Sequence, residues 1–242
     1  RGGCWYVKGS DIVLTAQIEK MSKSLLNVVN PDDVIDNFGA DSMRLYEMFM
    51  GPLDVSKPWQ TQGIEGVHRF LHRAWRLFFE GEDDRLIAGL QDVAPDPEVD
   101  RLRHRTIAAV TEDIEGLRFN TAISRMMEFV NAMNTRDLRP REVMEDFVKL
   151  LAPFAPHFGE EIWQRLGHAT TIAFEPWPEH DPERLEETTA TIPVSVNGKV
   201  RARITVPTGA PEAAVVEQAL AEEGVRRQVG ERAIRRIIYR PD

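Results

Sequence analysis

Several things are scarce in this sequence of 242 residues, and each scarcity closes off a class of protein. There is one cysteine, Cys4. A single thiol cannot form an internal disulfide, so the expected compartment is the cytoplasm. No apolar run approaches the roughly 18 residues that a membrane-spanning helix needs. The opening RGGCWYVKGSD has no apolar core of signal-peptide length. Positive charge is also short: 30 Lys and Arg stand against 39 Asp and Glu, a net charge of −9, which argues against a generic nucleic-acid binder. The first residue is not Met, which suggests a fragment or a processed chain.

The charge that exists is unevenly placed. Residues 191–242 hold nine basic side chains (Lys199, Arg201, Arg203, Arg226, Arg227, Arg232, Arg235, Arg236 and Arg240) against six acids, leaving this tail at +3 and the rest at −12. Such asymmetry points to a partner of the tail's own.

Periodicity organises the chain. Residues 1–18 read as turn and strand pieces. Asn30, Pro31, Asp32 and Asp33 then open a helix as cap, first-turn proline and dipole-matched acids, with Val34, Ile35 and Phe38 as its apolar face and Gly39 as its end. Asp41 is placed to cap a second helix, with Leu45, Met48 and Phe49 inward, ending at Gly51-Pro52. From Thr61 onward the period is helical. Val67, Phe70, Leu71, Ala74, Leu77 and Phe78 form one face. Residues 81–98 read as an acidic connection with one turn of helix. Ile107, Val110, Ile114 and Leu117 mark a further helix, and Phe119, Ile123, Met126, Met127, Val130 and Met133 another. Pro140 opens a helix carrying Val143, Met144, Phe147, Leu150 and Leu151. A shorter one carries Phe158, Ile162, Trp163 and Leu166. These amphipathic helices with short links predict a bundle.

Residues 179–190 are acidic, proline-bearing and poor in apolar side chains, as a linker is. Beyond them the period becomes two. Ile192, Val194 and Val196 alternate, as do Val200, Ala202, Ile204 and Val206, around Asn197-Gly198. A three-residue loop with Gly198 last would pair Val194 with Val200. It would also gather Lys199, Arg201 and Arg203 on the outer face. Pro211 starts a helix to about Glu223, and residues 233–240 read as a last strand, completing a small α+β unit.

The most specific stretch is KMSKS, Lys20 to Ser24. Two ammonium groups and two hydroxyls on a short polar loop suit phosphate oxygens, and lysine suits a loop that must move on and off them. Read without context, such a stretch is more often a solvated loop. These five residues are identical to the second signature of class I aminoacyl-tRNA synthetases. NVVNPDDVIDNFGADSMRLYEMFMGPL resembles the segment C-terminal to that signature in the leucine, isoleucine and valine branch. MGPLDVSKPWQTQGIEGVHRFLHRAWRLF, LRFNTAISRMMEFVNAMN, LAPFAPHFGEEIWQRLG and VSVNGKVRARITVP resemble the leucyl-tRNA synthetase family.

That resemblance implies a mainly α chain in three parts. Residues 1–60 would be the end of a Rossmann-type catalytic domain with the KMSKS loop. Residues 61–178 would be a helical anticodon-binding-type bundle that binds tRNA, and 191–242 a C-terminal tRNA-binding domain. By motif position Lys20 and Lys23 would be catalytic, with Lys20, Met21, Ser22, Lys23 and Ser24 binding ATP. Met21 would pack the loop down, and Mg2+ would arrive with the nucleotide. Lys199, Arg201, Arg203, Arg226, Arg227, Arg232, Arg235 and Arg236 would meet tRNA(Leu). Leucine would be held by a catalytic half encoded elsewhere. Many members have Lys-Gly after the motif, where this chain has Leu25-Leu26. The family's other ATP signature, His-x-Gly-His, fits none of the six histidines. The resemblance therefore implies that these residues do not aminoacylate alone. An isoleucyl- or valyl-type fragment and a non-catalytic tRNA-binding module are the alternatives, and the VNGKVRARI hairpin disfavours the first. His68 and His72 have the i, i+4 spacing of a helical metal pair but no companion ligand cluster, so no metal site is expected. Trp59, Trp75, Trp163 and Trp177 read as core or domain contacts.

Overall fold

The computed structural model describes residues 5–15, 17–52, 54–185, 189–230 and 234–239. It separates into two compact units, Arg1–His180 and Asp181–Asp242.

The first unit opens with a short antiparallel pair, β1 (Trp5–Tyr6) and β2 (Val13–Leu14). Helix α1 (Pro31–Phe38) starts as its sequence requires: the Asn30 side chain accepts from Asp32 N at 3.3 Å, and Gly39 stops it at φ +83°. Val34 is buried, whereas Ile35 is turned mostly outward. Helix α2 (Ala40–Phe49) comes directly after it. Asp41 does not cap it. Gly39 holds that position, and the Asp41 carboxylate reaches across 117 residues to accept from Phe158 N at 2.7 Å and to bond His157 Nδ1 at 2.9 Å. Phe158 N is one of the four amides that helix α7 (Pro156–Arg165) leaves unbonded at its N-terminus, so Asp41 caps a helix to which it does not belong. Arg44, one turn on, donates to Pro153 O at 3.0 Å and fastens the same corner.

Helix α3 (Thr61–Trp75) buries Ile64, Val67, Phe70, Leu71 and Ala74. It lies so close to α2 that a Cβ on Gly63 would stand 2.4 Å from the Tyr46 ring, which only glycine allows. Tyr46 itself accepts from Gln60 N at 2.9 Å and meets Trp59 edge to face.

The acidic connection contains no helical turn of its own before α4 begins at Pro97. A small hairpin, β3 (Phe79–Glu80) with β4 (Arg85–Leu86), turns through Gly81 and Asp84, both at positive φ. β5 (Leu90–Gln91) pairs in parallel with β6 (Arg139–Pro140). The Asp84 carboxylate takes the Trp75 indole N–H at 2.8 Å and ties this hairpin to the end of α3.

Helices α4 (Pro97–Glu115), α5 (Phe119–Met133), α6 (Arg141–Leu151) and α7 complete one continuous core. Its centre is the stacked pair Phe129–Phe147, 4.8 Å between ring centroids. Leu117 leaves the expected apolar face, because it occupies the left-handed region between α4 and α5 and is exposed. Arg103 on α4 clamps Glu142 and Asp146 on α6, each at 2.6 Å.

The second unit is built on β7 (Thr189–Val196) and β8 (Lys199–Pro207), antiparallel, with helices α8 (Glu212–Ala221) and α9 (Glu223–Val229). Several local expectations fail here. The turn is the two-residue Asn197-Gly198, both at positive φ, and Val194 faces Ala202 rather than Val200. The apolar sets still coincide, because a bulge leaves Arg201 unopposed between the pairs Ser195–Val200 and Val194–Ala202. Ile192 and Val194 then pack with Ile204, Val206 and Val215, while Val200 is turned outward. Val196 and Lys199 are paired directly, so Lys199 shares the face of Val196 and not that of Arg203. The expected helix after Pro211 is α8, and a further helix, α9, follows Glu222, whose extended backbone separates the two. Residues 234–239 form no strand. They make no ladder bonds among the described residues, although Tyr239 packs against the small core.

The cross-cap can be tested by mutation. Asp41→Ala leaves a nearly buried amide without its acceptor and should cost about 1–2 kcal/mol. Asp41→Asn, which keeps an acceptor oxygen, should recover most of it. Equal urea midpoints for wild type and Asp41→Ala would remove the cap from the account.

Candidate functional site

The lysine loop is a polar turn tied by its own side chains. Ser22 Oγ accepts from Leu25 N at 3.2 Å and so caps a single 3-10 turn, Lys23–Leu25. Ser22 Oγ and Ser24 Oγ lie 2.9 Å apart. Asn27 closes the structure from behind: its Oδ1 accepts from Ser22 N at 2.8 Å, and its Nδ2 donates to Lys20 O at 3.4 Å. Leu26 takes φ +54° and ψ 30°, a left-handed conformation that glycine accepts freely and leucine does not.

The geometry therefore brings Lys20, Ser22, Lys23 and Ser24 into one exposed turn. Among the described residues neither ammonium group has a carboxylate within 4 Å, so both charges face solvent unpaired. Met21 is 41% exposed at the start of this turn. Sequence reading alone does not single out Asn27. The available signal is a short amide placed just after a serine-lysine turn, where such side chains bond local backbone.

The basic tail is less concentrated than its composition suggests. Arg201, Arg203, Arg226, Arg227, Arg235 and Arg236 are exposed, as is Lys199 on the other face of the hairpin. Arg227 is paired with Glu223 on its own helix. The Arg201 carbonyl is pressed onto α9, where a Cβ on Gly224 would come within 2.3 Å of it. Arg232 lies outside the described residues.

The two spaced histidines form a chain of their own. Buried Ser42 Oγ lies 3.1 Å from His68 Nδ1, and His68 Nε2 lies 2.9 Å from His72 Nε2. Among the described residues no group of three or more His, Cys, Asp or Glu side chains could hold a metal ion. Burial, then the neighbouring His68 and Arg76, hold the His72 pKa below the usual 6.5. A base with a depressed folded pKa stays neutral while the unfolded chain protonates. Its contribution to stability is present above the unfolded pKa, declines below about 6.5 and is lost as pH falls through the folded value. Acidification from about pH 7.5 to 5.5 should therefore destabilise wild type more than His72→Ala. Parallel losses in urea titrations of the two proteins would overturn this assignment.

Comparison with known proteins places these sites in context. The profile of the anticodon-binding domain of tRNA ligase matches residues 96–217, and that of class I tRNA synthetases (I, L, M and V) matches residues 6–54. A leucine–tRNA ligase of Rhizobium johnstonii is 55% identical over 83% of this chain and 24% of its own length. One from Rhodopirellula baltica is 46% identical over 98% of this chain and 25% of its own length. The chain thus spans about a quarter of the length of the curated relatives it matches. A solved ternary complex of LeuRS, tRNA and LeuAMS from Agrobacterium radiobacter K84 superposes with a TM-score of 0.68 at 30% identity, covering 92% of this chain and 30% of that one.

Proposed function

Because this chain belongs to the tRNA-ligase anticodon-binding family, in its leucine–tRNA ligase branch, we propose that it serves leucyl-tRNA formation in two ways. The first unit supplies the lysine loop for adenylate formation, and both units offer surfaces to tRNA(Leu). A cytoplasmic setting accords with that reading. The observation that carries it is the exposed turn holding Lys20 and Lys23 unpaired, inside the segment that matches class I synthetases.

In the proposed reaction a leucine carboxylate oxygen attacks the α-phosphorus of ATP. The bond to the bridging oxygen breaks, and pyrophosphate leaves with the electron pair. Negative charge grows on that leaving group as the bond lengthens. A cation that meets the growing charge lowers the barrier more than it tightens ground-state binding. Lys23, at the start of the 3-10 turn, is the stronger candidate for this role, and Lys20 flanks it across the Asn27 bridge. Ser22 and Ser24 hold the turn's shape. Mg2+ enters with the nucleotide as part of the substrate. In the second step a terminal ribose hydroxyl of the tRNA attacks the leucyl carbonyl carbon and AMP departs. Leucine itself is bound by residues outside this chain.

For the tail, Arg201, Arg203, Arg226, Arg235 and Arg236 are exposed cations suited to RNA phosphates. Tyr239 is half-buried against the small core, so the tail is better fitted to backbone and shape than to base stacking.

Two measurements test this reading. In a leucine–tRNA ligase carrying these residues, Lys23→Ala should slow ATP–pyrophosphate exchange by about 10²–10³ with little change in leucine KM. Unchanged exchange would sink the catalytic role. Exchanging Arg201, Arg203 and Arg236 together for glutamine should weaken binding of tRNA(Leu) by this chain and flatten its dependence on salt. The opposite result, an unaltered salt slope, would rule the tail out as a phosphate contact.

A further inference from the structure

Three histidines of the first unit bond to carboxylates: His104 to Asp100, His157 to Asp41 and His168 to Glu145. His68 and His72 on α3 differ, because among the described residues neither has a carboxylate within 4 Å. They face each other instead. The two Nε2 atoms lie 2.9 Å apart, and the ring planes stand at 83°. Imidazole nitrogens at that separation need one proton between them, since two lone pairs or two N–H groups would repel.

The pair is braced from behind. Ser42 on α2 is 1% exposed, and its Oγ lies 3.1 Å from His68 Nδ1. Phe38 stands edge-on to the same ring, with 5.8 Å between centroids. With Nδ1 of His68 donating to that buried hydroxyl, its Nε2 carries a lone pair, which is how an outer hydrogen bond fixes the tautomer of a ligating imidazole. His72 supplies the shared proton from its own Nε2. Moving that proton to His72 Nδ1 leaves two lone pairs at one point, with no net ionisation. Burial, then His68 and Arg76, hold the His72 pKa below the usual 6.5, so its ring is neutral at neutral pH.

The distance between the nitrogens selects the ion. Ligand nitrogens about 2.0–2.1 Å from a metal stand about 2.8–3.0 Å apart across a right angle, and about 3.3–3.4 Å apart across a tetrahedral one. The observed 2.9 Å fits the right angle of a square-planar or tetragonal ion such as Cu2+ or Ni2+, and not tetrahedral Zn2+. Two side chains fill two adjacent positions. Among the described residues no third His, Cys, Asp or Glu joins them, so the remaining positions fall to exogenous ligands. The Arg76 charge that acts on His72 also repels a bare dication, which favours an ion already neutralised by an anionic chelator.

We infer that His68 and His72 form a two-nitrogen chelating site for Cu2+ or Ni2+ bearing an aminocarboxylate co-ligand, with Ser42 as the positioning residue. The ion exchanges two bound waters for two imidazole nitrogens and keeps its oxidation state. Bound there, it staples one turn of α3 and, through Ser42, braces α3 against α2.

The test is titration of the chain with copper(II)–iminodiacetate, read by electron paramagnetic resonance at neutral pH. A Cys4→Ser background removes the competing thiol. One equivalent should bind, with hyperfine splitting from two imidazole nitrogens. His72→Gln and His68→Gln should each weaken binding by about tenfold or more and lose the two-nitrogen splitting, and Ser42→Ala should weaken it by about tenfold while keeping the splitting at saturation. His180→Gln, at an exposed histidine outside α3, should leave affinity within about twofold. Circular dichroism must show that each variant folds. The copper complex should also raise the urea midpoint of the parent chain and not that of His72→Gln, because a ligand of the folded state alone stabilises it. A two-nitrogen signal that survives His72→Gln overturns the site, as does the lack of any such signal in the parent chain. Unaltered affinity in Ser42→Ala overturns the role given to the serine.

Discussion

One carboxylate ties the loop-bearing end of the first unit to its last long helix, across an otherwise continuous apolar core. Asp41 starts in α2, a helix that continues from the loop-bearing segment through α1, and ends on the free amide of α7. The capping bond, the His157 contact and the Arg44–Pro153 bond all act at one corner. None of them needs an extended apolar surface. A capping bond is directional, so it fixes the angle between α2 and α7 as well as their distance. The lysine turn, only a few residues before α1, lies on a segment anchored by a bond that spans 117 residues of sequence.

How far the sequence could be read depends on the range of the forces involved. Helices α3, α5 and α6 were legible because their apolar stripes repeat at helical spacing, and most of the residues so selected are buried, although Ile64, Phe129 and Val148 are buried without having been among them. The Asn30-Pro31 start and the Gly39 stop were legible because caps act within one turn. The role of Asp41 was hidden: beside a helix start, an aspartate looks like a local cap, and nothing nearby in sequence announces Phe158 as its donor. The β7–β8 hairpin shows a subtler failure. The apolar sets had to share a face, but a bulge and a longer turn reach that end equally well in sequence terms. The close contact of Gly224 with the Arg201 carbonyl, a tertiary feature, accompanies the bulge. In the acidic connection, a hairpin with two positive-φ residues stands where a turn of helix was expected.

The candidate site divides in the same way. KMSKS stands out by identity, so its place was evident before any geometry. The amide of Asn27 that ties it depends on which neighbours the fold brings within reach. Composition cannot report that. An arginine with a carboxylate at 3 Å and one without are the same letter, and only the fold distinguishes them.

Leu26 carries a last consequence. It sits in the left-handed basin with its side chain 91% exposed, at the place where many members of the family have glycine. Backbone strain there is of order 1 kcal/mol, and the bare isobutyl group adds an unfavourable contact with water. Both penalties are relieved by the same movement, a swing of the peptide out of that basin toward any greasy surface. Leucine at this position therefore lowers the cost of leaving the turn relative to glycine, which the left-handed basin suits.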